Sequence, residues 1–268
     1  GSAPGDTVNL ATPAAGWSPS LPTALDALGA SPGSDIIELR YLGSQGVPVD
    51  AITHPTTATT RIDVPSARWG ALTFDGVANP VAFAIADCSF VDLFPATVVN
   101  SAAGTVTLNG TIDRYTPQPA GQTMLYRAES LVYYVAPGAS GARSLWRARA
   151  DNSGAYTATG REELVEGIES LQFIYGLDRV TAVDTTAPSG YIDDYQSASG
   201  VTNTAEQWRR VGTVQVGMLA SSPNLAASAQ AAAGREVMGV AFTVPAGDTH
   251  FRATYETTVA LRNRLYGN

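Results

Sequence analysis

The chain contains no lysine, and all 16 of its basic residues are arginine. Chemistry that needs an amine nucleophile or a phosphate-binding lysine has no residue to use, which excludes a Walker A loop, a Schiff base and a Ser-Lys dyad. The net charge is -8, and the arginines are scattered along the chain, with only short pairs such as Arg147/Arg149 and Arg209/Arg210. Since no continuous positive track could follow a phosphate backbone, we expect no nucleic-acid partner.

Long apolar runs are also missing. The longest stretches are Val81 to Ala86 and Leu131 to Ala136, far short of the ~18 residues that span a bilayer. The chain begins Gly1-Ser2 without an initiator methionine, which is typical of the remnant of a cleaved expression tag. We therefore expect the natural N-terminus to lie upstream of these residues.

Alternation of apolar and polar residues with period two is the main pattern that is present. From Phe251 to Leu261 the odd-numbered residues share a largely apolar face, while Arg252 and Glu256 point the other way. This alternation is typical of antiparallel strands with one wet face. Further strands are predicted at Ile36–Leu42, Thr105–Leu108, Met124–Val135, Ser144–Arg149, Leu171–Leu177, Val214–Met218 and Val237–Val244. Asn109-Gly110 predicts a two-residue hairpin turn that sets Val106 against Asp113.

Helix signals are few and short: Thr23–Leu28, Thr204–Val211 and the alanine-rich Asn224–Ala233. Glycine (26 residues) and proline (16 residues) are frequent, which favours long loops. The expected fold class is mainly β, with antiparallel sheets, long loops and short helices. All-β units of about 200 to 250 residues commonly form one domain, so we expect a single domain over residues 1–268.

Catalytic motifs were tested and fail. Gly29-Ala30-Ser31-Pro32-Gly33 matches the G-x-S-x-G nucleophile elbow, but the oxyanion hole needs the backbone N–H after the serine, and Pro32 has none. We interpret the segment as a loop and expect no catalytic residues.

Metal-ligating residues are scarce. The two histidines, His54 and His250, and the single cysteine do not make the three or four ligands of a zinc site, so we expect exposed loop histidines. Asp178, Asp184, Asp193 and Asp194 cluster between two predicted strands. Calcium binds oxygen ligands on loops of this kind, but the spacing is irregular and no EF-hand run is present. A plain acidic loop is favoured, calcium stays the alternative, and no other cofactor is expected.

Cys88 follows Ile85-Ala86-Asp87, and two interpretations of it stay open. A single cysteine in an apolar setting is most often a buried free thiol. In an exported protein, an odd cysteine can instead be half of a disulfide whose partner lies outside the given sequence.

Two segments carry a family resemblance: Glu163–Asp178, with its Leu164-Val165-Glu166-Gly167 run, and Thr257–Arg264. Both resemble PilW-type minor pilins of the bacterial type IV pilus. Trp208 followed by an alternating strand is similar to the same family, as are Gly76–Pro80 and Ala86–Cys88. The resemblance covers most of residues 70 to 264. The related GspJ pseudopilin of type II secretion shares the L-V-E-G and tryptophan features.

The resemblance implies a non-catalytic protein with a pilin fold, in which a long N-terminal helix packs on antiparallel sheet. It also implies an inner-membrane precursor that a prepilin peptidase cleaves. In relatives a cysteine lies just after the helix, so the partner of Cys88 is expected in that upstream segment. The family often continues with a D-x-D-x-D-G run where this chain has Arg179-Val180-Thr181-Ala182-Val183-Asp184, which weakens any transfer of calcium binding.

The function implied by the resemblance is priming of pilus assembly and membership of the tip complex. The expected partners are other minor pilins, the tip adhesin, the major pilin and, through the N-terminal helix, the inner membrane. The expected location is the inner membrane and periplasm of a Gram-negative bacterium, and then the extracellular pilus tip. The alternative is a secreted adhesin-like or calcium-dependent binding module. Sheet edges and the groove left by the helix are the expected interfaces.

Overall fold

A computed structural model of the chain confirms the predicted fold class. The protein is mainly β, with 50% strand and 8% helix, several antiparallel sheets and few short helices. The structure describes residues 2–12, 17, 20–74, 77–151, 153–178, 187–226 and 235–261. Among the helices in these ranges, none is long and apolar enough to cross a bilayer.

The regular elements in these ranges are seventeen strands and two short α-helices. The strands are β1 (Thr7–Asn9), β2 (Ile37–Pro48), β3 (Ala51–Thr56), β4 (Thr59–Asp63), β5 (Ala82–Ala86), β6 (Val91–Pro95), β7 (Val98–Asn100), β8 (Thr105–Asn109), β9 (Met124–Pro137), β10 (Arg143–Arg149), β11 (Arg161–Glu166), β12 (Ile168–Leu177), β13 (Asp194–Gln196), β14 (Val211–Leu225), β15 (Arg235–Val237), β16 (Val240–Thr243) and β17 (His250–Ala260). The helices are α1 (Thr23–Asp26) and α2 (Ala205–Arg209), and two 3-10 helices cover Ser66–Leu72 and Ala158–Gly160.

The chain divides into two compact units. Unit 1 comprises Gly1–Ile37, Tyr133–Arg147 and Glu162–Asn268, and unit 2 comprises Glu38–Val132 and Ala148–Arg161. Strands β9 and β10 contribute several residues to each unit, and β2 and β11 are divided after their first residue. The expectation of one domain over residues 1–268 stays a prediction.

Unit 1 is built around a four-stranded antiparallel sheet in the order β13-β12-β14-β17. A second sheet has the order β1-β16-β15, and its β1–β16 pair is parallel, an exception to the antiparallel expectation. Its buried side chains, Val8, Val237, Val240 and Phe242, form one core cluster with Leu219 of β14. The second sheet therefore packs on one face of the four-stranded sheet, and the opposite face is left to other elements.

Unit 2 contains a four-stranded sheet in the order β3-β4-β8-β7, and β5 pairs with β6 on one side and with the first part of β9 on the other. Its core has fifteen buried side chains, among them Trp69, Phe83 and Phe94. Glu129 is 6% exposed and lies between two arginines, 2.5 Å from Arg127 Nε and 3.1 Å from Arg149 Nη1. The two guanidinium groups compensate the buried carboxylate, as a buried charge requires.

Most of the predicted elements are confirmed. The predicted Thr23–Leu28 and Thr204–Val211 helices correspond to α1 and α2, and the Thr204 hydroxyl caps α2 by accepting the Gln207 N–H. The predicted Asn224–Ala233 helix is wrong at its start, where Asn224 and Leu225 belong to β14; the segment 227–233 lies outside the described residues.

One turn prediction and one strand prediction are wrong. Asn109-Gly110 does not close a hairpin, because β8 is already paired on both sides, with β4 and β7. A real two-residue hairpin splits the predicted Val237–Val244 strand. Val237 pairs with Val240 across Met238-Gly239, whose φ angles are 49° and 77°. Two positive φ angles in succession are those of a type I′ turn.

Candidate assembly surface

The strand predicted from Phe251 to Leu261 is β17, and it forms one end of the four-stranded sheet of unit 1. It pairs with β14 in the register Tyr255 to Met218, Thr257 to Val216 and Val259 to Val214. The alternation identified in the sequence therefore places these six side chains on one face of the sheet.

We call five of these side chains the apolar face: Val214, Val216 and Met218 of β14, and Tyr255 and Val259 of β17. Coverage of the sheet on this side decreases from strand to strand. At β12, Leu171 and Phe173 are buried with Val135. At β14 the three apolar side chains are only partly buried. At β17, Tyr255 and Val259 are 57% and 49% exposed.

The other face of the same sheet is covered around Gly217. Gly217 of β14 lies directly under the β15–β16 hairpin, and a Cβ there would come within 2.7 Å of Met238 Cγ and still closer to Val237. Only a glycine allows this close approach. The Met238 N–H also donates to Glu256 Oε1 of β17 at 2.9 Å. The hairpin therefore covers this side of the sheet around Gly217. On the apolar face, the β14 side chains pack against the cluster of Val135 and Phe173, and coverage ends at β17.

A cluster of charges anchors the first part of β17. Arg252 is 5% exposed; its Nε donates to Glu169 Oε2 at 2.7 Å, and its Nη2 donates to Glu169 Oε1 at 2.8 Å and to Asp248 Oδ2 at 2.6 Å. Burial alone would lower the pKa of Arg252, but these hydrogen bonds raise it. The Arg252 guanidinium in turn holds the pKa of Asp248 well below its usual range.

On the side of β12 away from β14, residues that precede β2 form hydrogen bonds with the β12 backbone. Asp35 N–H donates to Leu171 O at 2.8 Å, and Phe173 N–H donates to Asp35 Oδ2 at 2.9 Å. Burial raises the pKa of Asp35 to about 6, although the Phe173 N–H favours the charged form. Burial, helped by the Asp35 charge, also raises the pKa of Tyr175 to about 12.

Cys88 is exposed, so its interpretation as a buried thiol is wrong. It lies in the turn between β5 and β6, where Asp87 Oδ1 accepts the N–H groups of Ser89 and Phe90, both at 2.7 Å. This pattern, in which an aspartate side chain accepts backbone N–H groups two and three residues later, stabilises a turn. Cys88 lies within that turn. Sγ is 3.4 Å from Gln122 Oε1. The disulfide with an upstream cysteine stays a prediction.

Both histidines lie in strands rather than loops, which corrects the prediction. His54 belongs to β3 and its Nε2 lies 3.0 Å from Asp113 Oδ1; His250 begins β17 and its Nδ1 lies 2.6 Å from Asp248 Oδ1. Each histidine therefore has one carboxylate partner. The sequence could not show the partner of His54, because Asp113 is far from it along the chain.

Two acidic residues of the predicted calcium loop, Asp178 and Asp194, form hydrogen bonds with different partners. Asp178 is buried and its Oδ2 accepts the Gly190 N–H at 2.8 Å, while both Asp194 oxygens accept from Gln196 Nε2. Within the described ranges, no group of three His, Cys, Asp or Glu side chains could hold a metal ion. Asp184 and Arg179–Val183 lie outside these ranges, so metal-independent folding of the loop stays a prediction.

Residues 132–263 match the family model described as type IV pilus-assembly protein W, PilW. This region is therefore similar to the PilW family. The match takes in about half of the chain, including every residue of the apolar face. It begins after the segments Gly76–Pro80 and Ala86–Cys88, so the PilW resemblance there stays a prediction. No curated protein and no solved structure matches the chain.

The PilW match associates the chain with type IV pilus assembly and with the envelope or pilus of a bacterium. What the geometry adds is a place where assembly contacts could form. The apolar face presents one tyrosine and four aliphatic or thioether side chains, with no carboxylate, imidazole, thiol or basic group among them, so its chemistry is that of packing.

Proposed function

We propose that this chain is the periplasmic part of a non-catalytic minor pilin that helps to prime type IV pilus assembly and then belongs to the tip complex. The observation that carries the proposal is the apolar face, which is partly buried at β14 and exposed at β17, inside the PilW-matched region. A sheet face of this kind must be buried against another layer.

The occupant of the apolar face is the amphipathic half of an N-terminal helix that precedes the given residues. The face runs over two neighbouring strands, and the side chains of Tyr255 and Met218 lie next to each other across them. An apolar helical stripe packs on such a surface, and burial gains about 25 cal/mol per Å2 of apolar area. The other half of the helix would hold the protein in the inner membrane until the subunit enters the filament.

The partners in this account are other minor pilins, the tip adhesin and the major pilin below. A glutamate at the fifth mature position would neutralise a neighbouring subunit's N-terminal amine, because an unpaired buried charge is costly. Pilus-dependent adhesion and twitching motility would then depend on this protein indirectly. Cys88, displayed at an exposed turn, would pair with a cysteine just after the helix.

The experiment is complementation of a strain that lacks the gene, with sheared surface pili as the readout. Wild type is expected to restore pili. Tyr255→Asp/Val259→Asp is expected to leave few or none at normal protein level, because two charges on the apolar face oppose burial. Both positions are about half exposed, so the isolated domain keeps its fold, which its thermal unfolding checks.

Tyr191→Asp is the matched control, since Tyr191 is 76% exposed and lies outside the apolar face. It should restore pili like wild type. Normal piliation by the double variant would refute the proposed role of the face. A mature protein in which an ordinary cleaved secretory signal is joined directly to Ala3 would instead indicate the secreted binding module.

A further inference from the structure

The two sides of the four-stranded sheet of unit 1 differ in how their outer backbone groups are hydrogen-bonded. Along β12, the backbone groups that β13 does not reach are bound by the segment before β2: Leu171 N–H donates to Ser34 Oγ at 2.9 Å, and Phe173 N–H donates to Asp35 Oδ2. Along β17, no described residue takes up the outer backbone groups of Thr254, Glu256 or Thr258. One edge is capped and the other is open.

The register shows which groups face the open edge. Leu261 N–H donates to Gly212 O at 2.8 Å, continuing the β14–β17 ladder by one residue. In an antiparallel pair, hydrogen-bonded and non-hydrogen-bonded positions alternate. The odd-numbered residues therefore point their N–H and C=O groups at β14, and Thr254, Glu256, Thr258 and Ala260 point theirs outward.

The open edge also lacks the usual protection of edge strands. Natural edges are blocked by proline, lysine, bulges or inward-pointing charges. From Thr254 to Ala260 every residue is exposed, with no proline, no lysine and no register shift. The single charge in this stretch is Glu256, whose Oε1 is occupied by the Met238 N–H.

We propose that β17 pairs with β17 of a second copy of this chain, antiparallel and centred on Thr257. In this register Glu256 of each copy exchanges two backbone hydrogen bonds with Thr258 of the other. Tyr255 of each copy then lies opposite Val259 of the other, an aromatic and β-branched pair of the kind that stabilises sheets. The pairing would make one continuous sheet from two copies, and it does not rest on the proposed role in the pilus.

The neighbouring registers are less favourable. The outward N–H and C=O groups belong to even-numbered residues, so the hydrogen bonds form only when even-numbered residues of the two copies face each other. The alternative registers are therefore those in which one strand slides by two residues along the other. A centre on Glu256 sets two carboxylates directly opposite each other, which is destabilising. A centre on Thr258 moves Tyr255 out to Leu261 and shortens the overlap. Self-complementarity at Thr257 is the argument for a second copy as the occupant.

The interface consists of a single strand from each copy and buries less than the ~1,200 Å2 of a standard interface, so the dimer is weak. Sedimentation velocity of the 268-residue chain between ~10 µM and ~1 mM should show a concentration-dependent change from monomer to dimer mass. Amide exchange should slow with concentration at Thr254, Glu256 and Thr258. It should stay constant at Tyr255 and Thr257, whose N–H groups face β14.

Thr258→Pro removes an outward N–H without touching the ladder to β14, since proline is tolerated on the open side of an edge strand. We expect it to abolish the dimer, and Thr258→Val, which keeps the N–H, to leave it intact. In the proposed register the two Glu256 carboxylates are diagonal neighbours. Glu256→Gln should therefore dimerise at about 2- to 5-fold lower concentration, corresponding to a few tenths to 1 kcal/mol.

Three results would overturn the proposal. The first is a monomer over the whole concentration range. The second is a dimer that Thr258→Pro forms as readily as wild type, with an unchanged unfolding temperature showing that this variant is folded. The third is open-ended oligomers, which would mean that β17 accepts a different strand of its neighbour rather than its own counterpart.

Discussion

Arg252 of β17 binds both carboxylate oxygens of Glu169 of β12 across the intervening strand β14, at 2.7 and 2.8 Å. Bidentate pairs of this kind add geometric specificity to the electrostatic attraction. The pair is largely buried, with side-chain exposures of 5% and 14%. It fixes the first part of β17 to the sheet, while the rest of β17 stays exposed on both faces.

Arg252→Met is expected to lower the free energy of unfolding by about 3 kcal/mol, because it leaves Glu169 and Asp248 without their shared cation. Urea denaturation measures the loss. Arg40→Met is the control, since the Arg40 side chain is 73% exposed and its removal should change stability by less than about 0.5 kcal/mol. Equal effects would contradict the anchoring role.

The same cluster predicts a response to acid. The Arg252 hydrogen bond lowers the pKa of Asp248 below its ordinary value of 3.8. A depressed folded-state pKa of an acid contributes stability above the unfolded pKa, and that contribution is lost as the pH falls through the folded pKa. Wild type should therefore lose more stability than Arg252→Met between pH 5 and pH 2, in urea titrations at each pH; parallel curves would argue against the prediction.

Asp35 predicts the opposite pH dependence. Burial raises its pKa from 3.8 to about 6, so the folded state favours the protonated form, and stability falls as the pH rises from about 4 to above 6. Asp35→Asn keeps an acceptor for the Phe173 N–H and should stabilise the protein by about 1 to 3 kcal/mol at pH 7.5. At pH 4 the gain should nearly vanish.

The control for Asp35 is the exposed Asp50→Asn, which should leave thermal unfolding unchanged at both pH values. A gain for Asp35→Asn that is equally large at pH 4 and pH 7.5 would mean that it does not come from ionisation.

Gly217 is predicted to be intolerant of a side chain. In Gly217→Ala the new Cβ would meet Val237 and Met238 of the β15–β16 hairpin, and overpacking of this kind costs about 1 to 3 kcal/mol. Gly70→Ala is the matched control, since a Cβ there meets nothing within 4 Å. A thermal shift for Gly217→Ala no larger than for Gly70→Ala would show that the hairpin does not pack so closely.

Cys88 should react rapidly with a thiol reagent in the 268-residue chain, because it is exposed. In the mature protein purified from the cell envelope it should be blocked until a reductant is added, if the proposed disulfide forms. A closed loop of this kind should also stabilise the mature protein by ~2 to 4 kcal/mol. A freely titrating Cys88 in the mature protein would exclude the disulfide.

The strands with strong alternation were predictable from the sequence. The pattern from Phe251 to Leu261 predicted both β17 and the side chains of its apolar face. The β15–β16 hairpin was not predictable, because Met238 is not a typical turn residue, yet it adopts a φ of 49°. Asn109-Gly110 gave the strongest hairpin signal and was wrong, since pairing of β8 with β4 joins residues far apart in sequence.

For the candidate site, the sequence predicted which residues are apolar but not which strand ends the sheet. Strand order is a property of long-range pairing, and a period-two pattern is the same for an edge strand and an inner one. The partners of Arg252 show the same limit. Asp248 lies four residues away, but Glu169 is 83 residues away, and only the folded sheet brings it close.

The central claim is that the apolar face is covered in the mature protein. Its most direct test is thiol labelling of Tyr255→Cys in a Cys88→Ser background, compared between the 268-residue chain and the mature protein in the cell envelope. We expect rapid labelling in the chain and at least ~10-fold slower labelling in the envelope, since a packed helix would bury this position. Tyr191→Cys, off the apolar face, should label equally in both. Equal labelling of Tyr255→Cys in both settings would contradict the claim.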